Sequence, residues 1–491
     1  MKQTKLIAFI IFGALTLGLA ASAPAQTIDP SLKSEEIKAI AKDVFFWGMT
    51  PAGAYEMRYV YTQLELARAY VGNNRVGWNR KRIRASDREI NAPNFTTLYG
   101  FGFFDLRNGP MVILTPEITG RYWSFQAADQ YARWYAPIGS PFTGNAPQKH
   151  LIVGPAYMGP LPAEFSGVEI IRAPSDYVFV DVRIALVNDT DADLAAVNDI
   201  MDRMTIVSIP DWEANGRKPL ASKDQKPVRA GYTTFPHMAE ITDLAAKMTA
   251  MDLMQLVSLA LNDPSMTKRT DSIKEVETLR RLAKLGLAEG KAFDPKALTD
   301  AQRKAIEAGV EEAKREGFAA CNSRFIDMNG WKLSSSWNVD LNDYKIAGYY
   351  GLAALFGPVP YWSHTTPATY FDAEGRPLDG ANRYTLTFDV KNLPPVSEFW
   401  EIPMYDPNSY FVDNEINRYA VNSYMYKNGE FAVKDGKLTF YIQKEKPADP
   451  DQLKNWLPAP AGPFHFGVRF YGPAAPLIDG TYAMPKVLRI K

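Results

Sequence analysis

At 491 residues the chain exceeds the size at which one hydrophobic core keeps growing, which predicts two or three domains. With 46% hydrophobic and 12% aromatic residues it is globular, and 55 basic against 55 acidic residues leave no net field to gather nucleic acid or anionic lipid. A neutral small molecule or a glycan suits such a chain as well as an ion does.

Lys2 and Lys5 precede an apolar run over 6–20, and Ala23-Pro24-Ala25 supplies the small-x-small pattern of a signal peptidase site. The pattern predicts a signal peptide over 1–25 and a mature protein that has no membrane span and is periplasmic or secreted. Cys321 is the single cysteine, so no intramolecular disulfide can form, and its setting beside Ala319 and Ala320 reads as a buried, inert thiol.

Residues 26–90 read as a helical lead-in. Ser34 is placed to cap a helix that opens with Glu35 and Glu36, and Ile37, Ile40, Ala41, Val44, Phe45 and Gly48 recur at helical spacing. Pro51 is expected to interrupt it, with a second helix over 52–70 ended by Gly72-Asn73-Asn74. Over 91–190 the period turns to β. In Arg121-Tyr122-Trp123-Ser124-Phe125-Gln126 the alternation puts Tyr122, Ser124 and Gln126 on one face. Short strands separated by Gly and Pro turns predict a sandwich or barrel.

The stretch 191–350 is mostly helical, with helices expected over 238–261, 274–287 and 301–320, the last opened by the capping box Thr299-Asp300-Ala301-Gln302. Met248, Met251 and Met254 form a stripe that reads as core packing. From 351 to 491 the pattern is β again. Ile402, Met404 and Tyr405 suit a strand, 406–409 is a turn, Tyr410-Phe411-Val412 resumes the β pattern, and 455–464 reads as a rigid loop. The fold class expected is α+β: two antiparallel β regions with a helical lead-in and a helical middle segment.

The densest mixture of aromatics and polar groups lies in 400–420. Asp413, Asn414, Glu415, Asn417 and Arg418 follow a buried-looking strand end, where a rigid sheet commonly holds a site. Asp413 and Glu415 are the candidate catalytic acids; Asn414, Asn417 and Arg418 are candidate ligand-binding groups, with Tyr122, Gln126 and Asp129 as an opposite wall. No phosphate-cradling glycine loop and no Gly-x-Ser-x-Gly elbow is present. The four histidines, His150, His237, His364 and His465, lack ligand spacing, so no cofactor is expected. A divalent cation such as calcium, held by Asp413, Asn414 and Glu415, stays open as an alternative.

Several motifs carry a resemblance. The segment 93–99, the strand 121–126 and Val153-Gly154-Pro155 resemble the N-terminal "domain of unknown function 1254"; Asn382-Arg383-Tyr384, Trp400, Met404-Tyr405-Asp406, Asp413-Asn414, Asn417-Arg418-Tyr419 and 455–464 resemble the C-terminal "domain of unknown function 1214". The resemblance adds Asn94 and Tyr99 to the candidate ligand-binding residues. It implies a helical and β N-terminal domain, a jelly-roll-like C-terminal sandwich and a likeness to glycan-cleaving enzymes, and it brings no established activity. Two departures stand out: Thr96 occupies a position where the family usually has an acid, and Lys345-Ile346 lies where an Arg is often seen.

The expectation is therefore an exported protein, an enzyme or a binding protein acting on a glycan or small organic ligand at a polar and aromatic inter-domain pocket. If it is an enzyme, a carboxylate-based hydrolase fits the residue types. The alternative is a non-catalytic sandwich that scaffolds an envelope assembly. A homo-oligomer is compatible with either reading.

Overall fold

The computed structural model describes residues 28–64, 72–88, 92–228, 248–266, 272–334 and 360–490. The expected signal peptide and Lys345-Ile346 lie outside them. The fold is α+β. Its first β region contains β1 (Val76–Trp78), β2 (Thr97–Asp105), β3 (Met111–Thr115), β4 (Trp123–Ala128), β5 (Trp134–Gly139), β6 (Gln148–Val153), β7 (Ile170–Arg172), β8 (Tyr177–Ala185) and β9 (Thr205–Ser208). These build two sheets, in the orders β1-β2-β8-β4-β5 and β7-β6-β3-β9, antiparallel throughout except for the β6–β7 pair. Phe104, Val180 and Ile184 of the first sheet pack on Met111, Ile113, Ile152 and Ile206 of the second, so the region is a sandwich.

The C-terminal region contains β10 (Phe325–Asp327), β11 (Lys332–Ser334), β12 (His364–Thr365), β13 (Ala368–Thr369), β14 (Arg383–Asp389), β15 (Val396–Tyr405), β16 (Ala420–Asn422), β17 (Lys437–Gln443), β18 (Trp456–Pro458), β19 (His465–Gly467), β20 (Arg469–Pro473) and β21 (Leu488–Ile490). One sheet runs β10-β11-β13-β19-β15-β20-β12, with β16 paired to β15, and the other runs β18-β17-β14-β21. Their facing side chains, among them Leu386, Phe440 and Ile442 against Trp400, Met404 and Phe470, form the second core.

Helices α1 (Ser34–Gln63), α2 (Asp191–Arg203), α3 (Ile209–Ala214), α4 (Ala250–Asn262), α5 (Ile273–Lys284) and α6 (Asp300–Asn322) complete the architecture. Apolar residues of α1, α4, α5 and α6 form one helical core that also covers part of the first sheet, and Met248, Met251 and Met254 are in it as the stripe predicts. Cys321 is buried, and Thr299 caps α6 reciprocally with Gln302.

Several local expectations give way to tertiary packing. α1 runs unbroken through Pro51, capped at Lys33 and not at Ser34. A proline inside a helix costs about 3 kcal/mol, and here every residue from Val44 to Arg58 is buried, so packing on all sides outweighs it. β9 belongs to the first sandwich although it lies beyond residue 190, and β10 and β11 join the C-terminal sheet although they precede 351. Tyr410-Phe411-Val412 is loop, because β16 and β19 already flank that end of β15. Within the expected rigid loop, Trp456–Pro458 is a strand parallel to β17.

Candidate functional site

Strand β8 is apolar except for Asp181 and Arg183, which alternation turns away from the sandwich core together. Register sets Tyr99 and Ser124 on either side of Arg183, and Phe101 and Gln126 on either side of Asp181. One end of this inner face meets the C-terminal domain. Arg183 holds Asp181 through Nε at 2.8 Å and donates Nη1 to the Tyr471 hydroxyl at 2.8 Å, and Asn94 Nδ2 donates to the same oxygen at 2.9 Å. The rings of Tyr122, Phe399 and His364 close around Tyr471, with centroids 4.9, 4.4 and 4.7 Å away. Burial, with Arg183 and Arg469 nearby, holds His364 well below the usual imidazole range, while burial pushes the Tyr99 hydroxyl up to about 12. At neutral pH this seam presents an uncharged His364 and the protonated hydroxyls of Tyr99 and Tyr122, joined to one desolvated Arg–Asp pair.

A buried acid fastens the seam. Glu401 on β15 accepts the backbone N–H groups of Phe95 and Thr96 at 3.0 and 2.8 Å, and Asn422 Nδ2 donates to Thr96 Oγ1 at 3.0 Å. Burial raises the Glu401 carboxyl, with the Arg469 charge and these donors opposing. Thr96, where the resemblance leads one to expect an acid, is thus tied to a carboxylate of the other domain.

Beside the seam a cleft of about 300 Å³ opens between the domains. Arg82, Thr96 and the 186–189 stretch form its N-terminal wall, and Arg418, Asn422, Glu430 and Lys446 stand on the C-terminal side. The Arg82 guanidinium is already engaged, with Asp189 at 2.7 Å, Asp191 at 3.4 Å and the carbonyl of Thr190. Arg418 is different. Its Nη1 donates to the carbonyls of Lys454 and Trp456 at 2.8 and 2.9 Å, and no carboxylate among the described residues lies within ion-pair distance of it. Burial lowers its pKa, with Glu430 and Asp189 opposing from farther off.

The structure divides the residues singled out in the sequence. Arg418 lines the cleft. Asp413 and Glu415 are exposed and off its lining, and so is Asn417, whose Oδ1 accepts from the Tyr419 hydroxyl. Asn414 closes its own loop, with Nδ2 to the carbonyls of Val412 and Arg418 and Oδ1 accepting the Arg418 N–H at 3.0 Å. Asn94, Tyr99 and Tyr122 sit in the buried seam, not in the cleft. Gln126 lies farther along the same inner face, fully buried. Asp129 is spent on the β4–β5 turn, where Oδ1 accepts the N–H groups of Tyr131 and Arg133. The expectation of one pocket walled by both groups is corrected to two places on the domain boundary.

Sequence reasoning missed Arg82, Asn188, Asp189, Glu430 and Lys446 at the cleft, and Arg183, His364 and Tyr471 in the seam. Two charges at alternate positions within Tyr-Val-Phe-Val-Asp-Val-Arg-Ile-Ala were a legible signal, because a buried strand bears such a pair only where its face meets polar partners. Nothing local marks the cleft residues, which come from separate loops.

Two family models match the chain, both described as proteins of unknown function: DUF1254 over residues 73–208 and DUF1214 over 363–475. The crystal structure of the VPA0106 protein from Vibrio parahaemolyticus is similar, with a TM-score of 0.64 at 23% identity over 93% of this chain and 100% of that one. An uncharacterised protein from Burkholderia cenocepacia aligns over 93% of this chain and 94% of that one at 12% identity, with a TM-score of 0.43. The Vibrio likeness is one of fold. No curated protein of assigned function matches the chain.

Proposed function

This chain belongs to the DUF1254 and DUF1214 families, with one domain of each, and from that premise we propose that it binds a small organic anion in the cleft between the two domains, with Arg418 as the charged anchor. The observation that carries the reading is a half-buried guanidinium without a carboxylate partner among the described residues, held in place by two carbonyls at the wall of a 300 Å³ cleft. A desolvated cation lacking a counter-ion is costly, and a carboxylate ligand would relieve that cost through charge-assisted hydrogen bonds. Asn188 on the same lining adds a neutral polar group able to orient the rest of such a molecule, while Thr96 and Asn422 are engaged with each other.

Among small organic ligands an acid is better supported than a neutral glycan. Phe95 is the one aromatic among the cleft's lining residues, too little for the stacked platform that sugar rings favour. Sugar acids remain within the class. A reaction at this site would draw on Asp189 and Glu430, the two acids on its walls, more readily than on the exposed Asp413 and Glu415.

Differential scanning fluorimetry and calorimetry with mono- and dicarboxylates and uronic acids test the proposal, using the wild type and Arg418→Gln. A ligand acid stabilises the wild type by mass action. Arg418→Gln should weaken its affinity by at least about tenfold, equivalent to ~1.4 kcal/mol. Affinity that is unchanged in Arg418→Gln, or the absence of stabilisation by any acid of the panel, refutes the reading.

A further inference from the structure

Arg418 spends Nη1 on the carbonyls of Lys454 and Trp456. Its Nε and Nη2, the edge that grips a carboxylate side-on, make no hydrogen bond among the described residues and keep accessible surface. Around that cation the cleft is apolar. Phe95, Leu186 and Val187 of the N-terminal domain line it together with Ile416, Met425 and Leu453 of the C-terminal one. Ile416 is exposed, the single apolar side chain in the otherwise polar run 413–418. An isolated surface isoleucine needs no explanation, but one that borders a cavity with five further apolar side chains extends a hydrocarbon surface that a ligand can cover.

The polar groups of the same lining are largely engaged with protein partners. Arg82 is held by Asp189 and Asp191, Thr96 Oγ1 accepts from Asn422, and Asn188 Oδ1 accepts from Asn428 Nδ2 at 2.7 Å. A sugar acid would bring several hydroxyls to these walls and leave most of them without a partner. Lys446 is exposed and shares its side of the cleft with the acid Glu430, so a second carboxylate gains little there.

Resting on the reading that Arg418 anchors an anion, we infer that the acid is an amphipathic monocarboxylate, a straight-chain alkanoate of medium length. Its carboxylate takes the Nε–Nη2 edge of Arg418, and its hydrocarbon chain lies between the apolar side chains of the two domains. A volume of about 300 Å³ is at the small end for ligand sites, which suits a short chain better than a long fatty acid. Ile416 and Leu453 are then the residues that read chain length, separately from the charge read by Arg418.

The test uses the full chain with alkanoates from butyrate to octanoate, and with succinate and glucuronate as polar acids, read by calorimetry. Each added methylene should tighten binding by roughly fourfold, equivalent to ~0.8 kcal/mol, until the cleft is full. Octanoate should therefore bind far more tightly than succinate or glucuronate. Ile416→Ser should weaken octanoate severalfold, leave butyrate nearly unchanged and keep the ligand-free Tm of wild type, because the position is exposed. Leu453→Ser should act in the same sense and provides a second reading of chain contact. Arg418→Gln should weaken every chain length by the same factor, at least about tenfold. If acids bind and lose affinity in Arg418→Gln, but affinity does not rise with chain length or glucuronate or succinate matches octanoate, this inference is overturned while the anion reading stands. A chain-length dependence unchanged in both Ile416→Ser and Leu453→Ser also overturns it, by placing the chain elsewhere. Octanoate binding that survives Arg418→Gln, or no binding by any acid, overturns the anion reading and this inference with it.

Discussion

Replacing Glu56 by Gln should change how stability depends on pH, in a direction opposite to that expected for most carboxylates. Glu56 lies on α1 with no exposed surface, and neither of its oxygens has a hydrogen-bond partner among the described residues. Burial, reinforced by the negative charge of Asp252, pushes its carboxyl from the usual 4.5 up to about 9. The folded protein therefore keeps the proton through neutral pH while the unfolded chain gives it up. Below 4.5 both states are protonated and the contribution is fully present; as pH rises towards 9 the folded state binds more protons than the unfolded one, and stability falls by about 1.4 kcal/mol per pH unit. At pH 7 the loss amounts to about 3 kcal/mol relative to pH 4.5, and it levels off once both states are ionised. Glu56→Gln keeps shape and polarity and removes the titration. Urea denaturation followed by tryptophan fluorescence between pH 5 and pH 9 should show the two proteins close together at pH 5 and the variant increasingly more stable above pH 6. Parallel curves, or a variant less stable at pH 8.5, would mean that the carboxylate is ionised and partnered in the native state, and the reasoning would fail.

Arg58 and Asp263 form an ion pair in which both side chains are buried, with Arg58 Nη1 also donating to Ser265 Oγ at 2.5 Å. Arg58→Ala should cost about 3–5 kcal/mol by stranding Asp263, and the added change Asp263→Ala should recover part of that loss in a double-mutant cycle. His364 is held neutral in the fold, so its contribution is full above the unfolded value near 6.5 and is lost as pH falls below it. His364→Gln should therefore flatten the acid limb of the Tm–pH profile between 6.5 and 5 relative to wild type. For the proposed export, N-terminal sequencing of the protein from a native envelope should begin near Gln26, and retention of residues 1–25 would count against a periplasmic location.

Local chemistry in the sequence determined the elements whose driving force is itself local. The period-2 alternation over 121–126 placed Tyr122, Ser124 and Gln126 on one face, and the Tyr122 hydroxyl does reach Ser124 at 2.8 Å. The Thr299 capping box, the methionine stripe and the buried cysteine follow from cap chemistry and side-chain volume, which need no knowledge of distant segments. Only the tertiary structure decided that α1 continues through Pro51, because the opposing term is burial against helices 200 residues and more away in the chain. It also decided what the 413–418 run does. As sequence that run is a cluster of polar groups, but chain direction after β15 sends Asp413 and Glu415 into solvent, and Arg418 is fixed by the carbonyls of Lys454 and Trp456. The partners of Arg183 are likewise set by sheet register and by a domain contact to Tyr471, 288 residues beyond it. Spacing along a chain specifies which residues share a face; which face meets which is settled by packing, where long-range burial outweighs local preference.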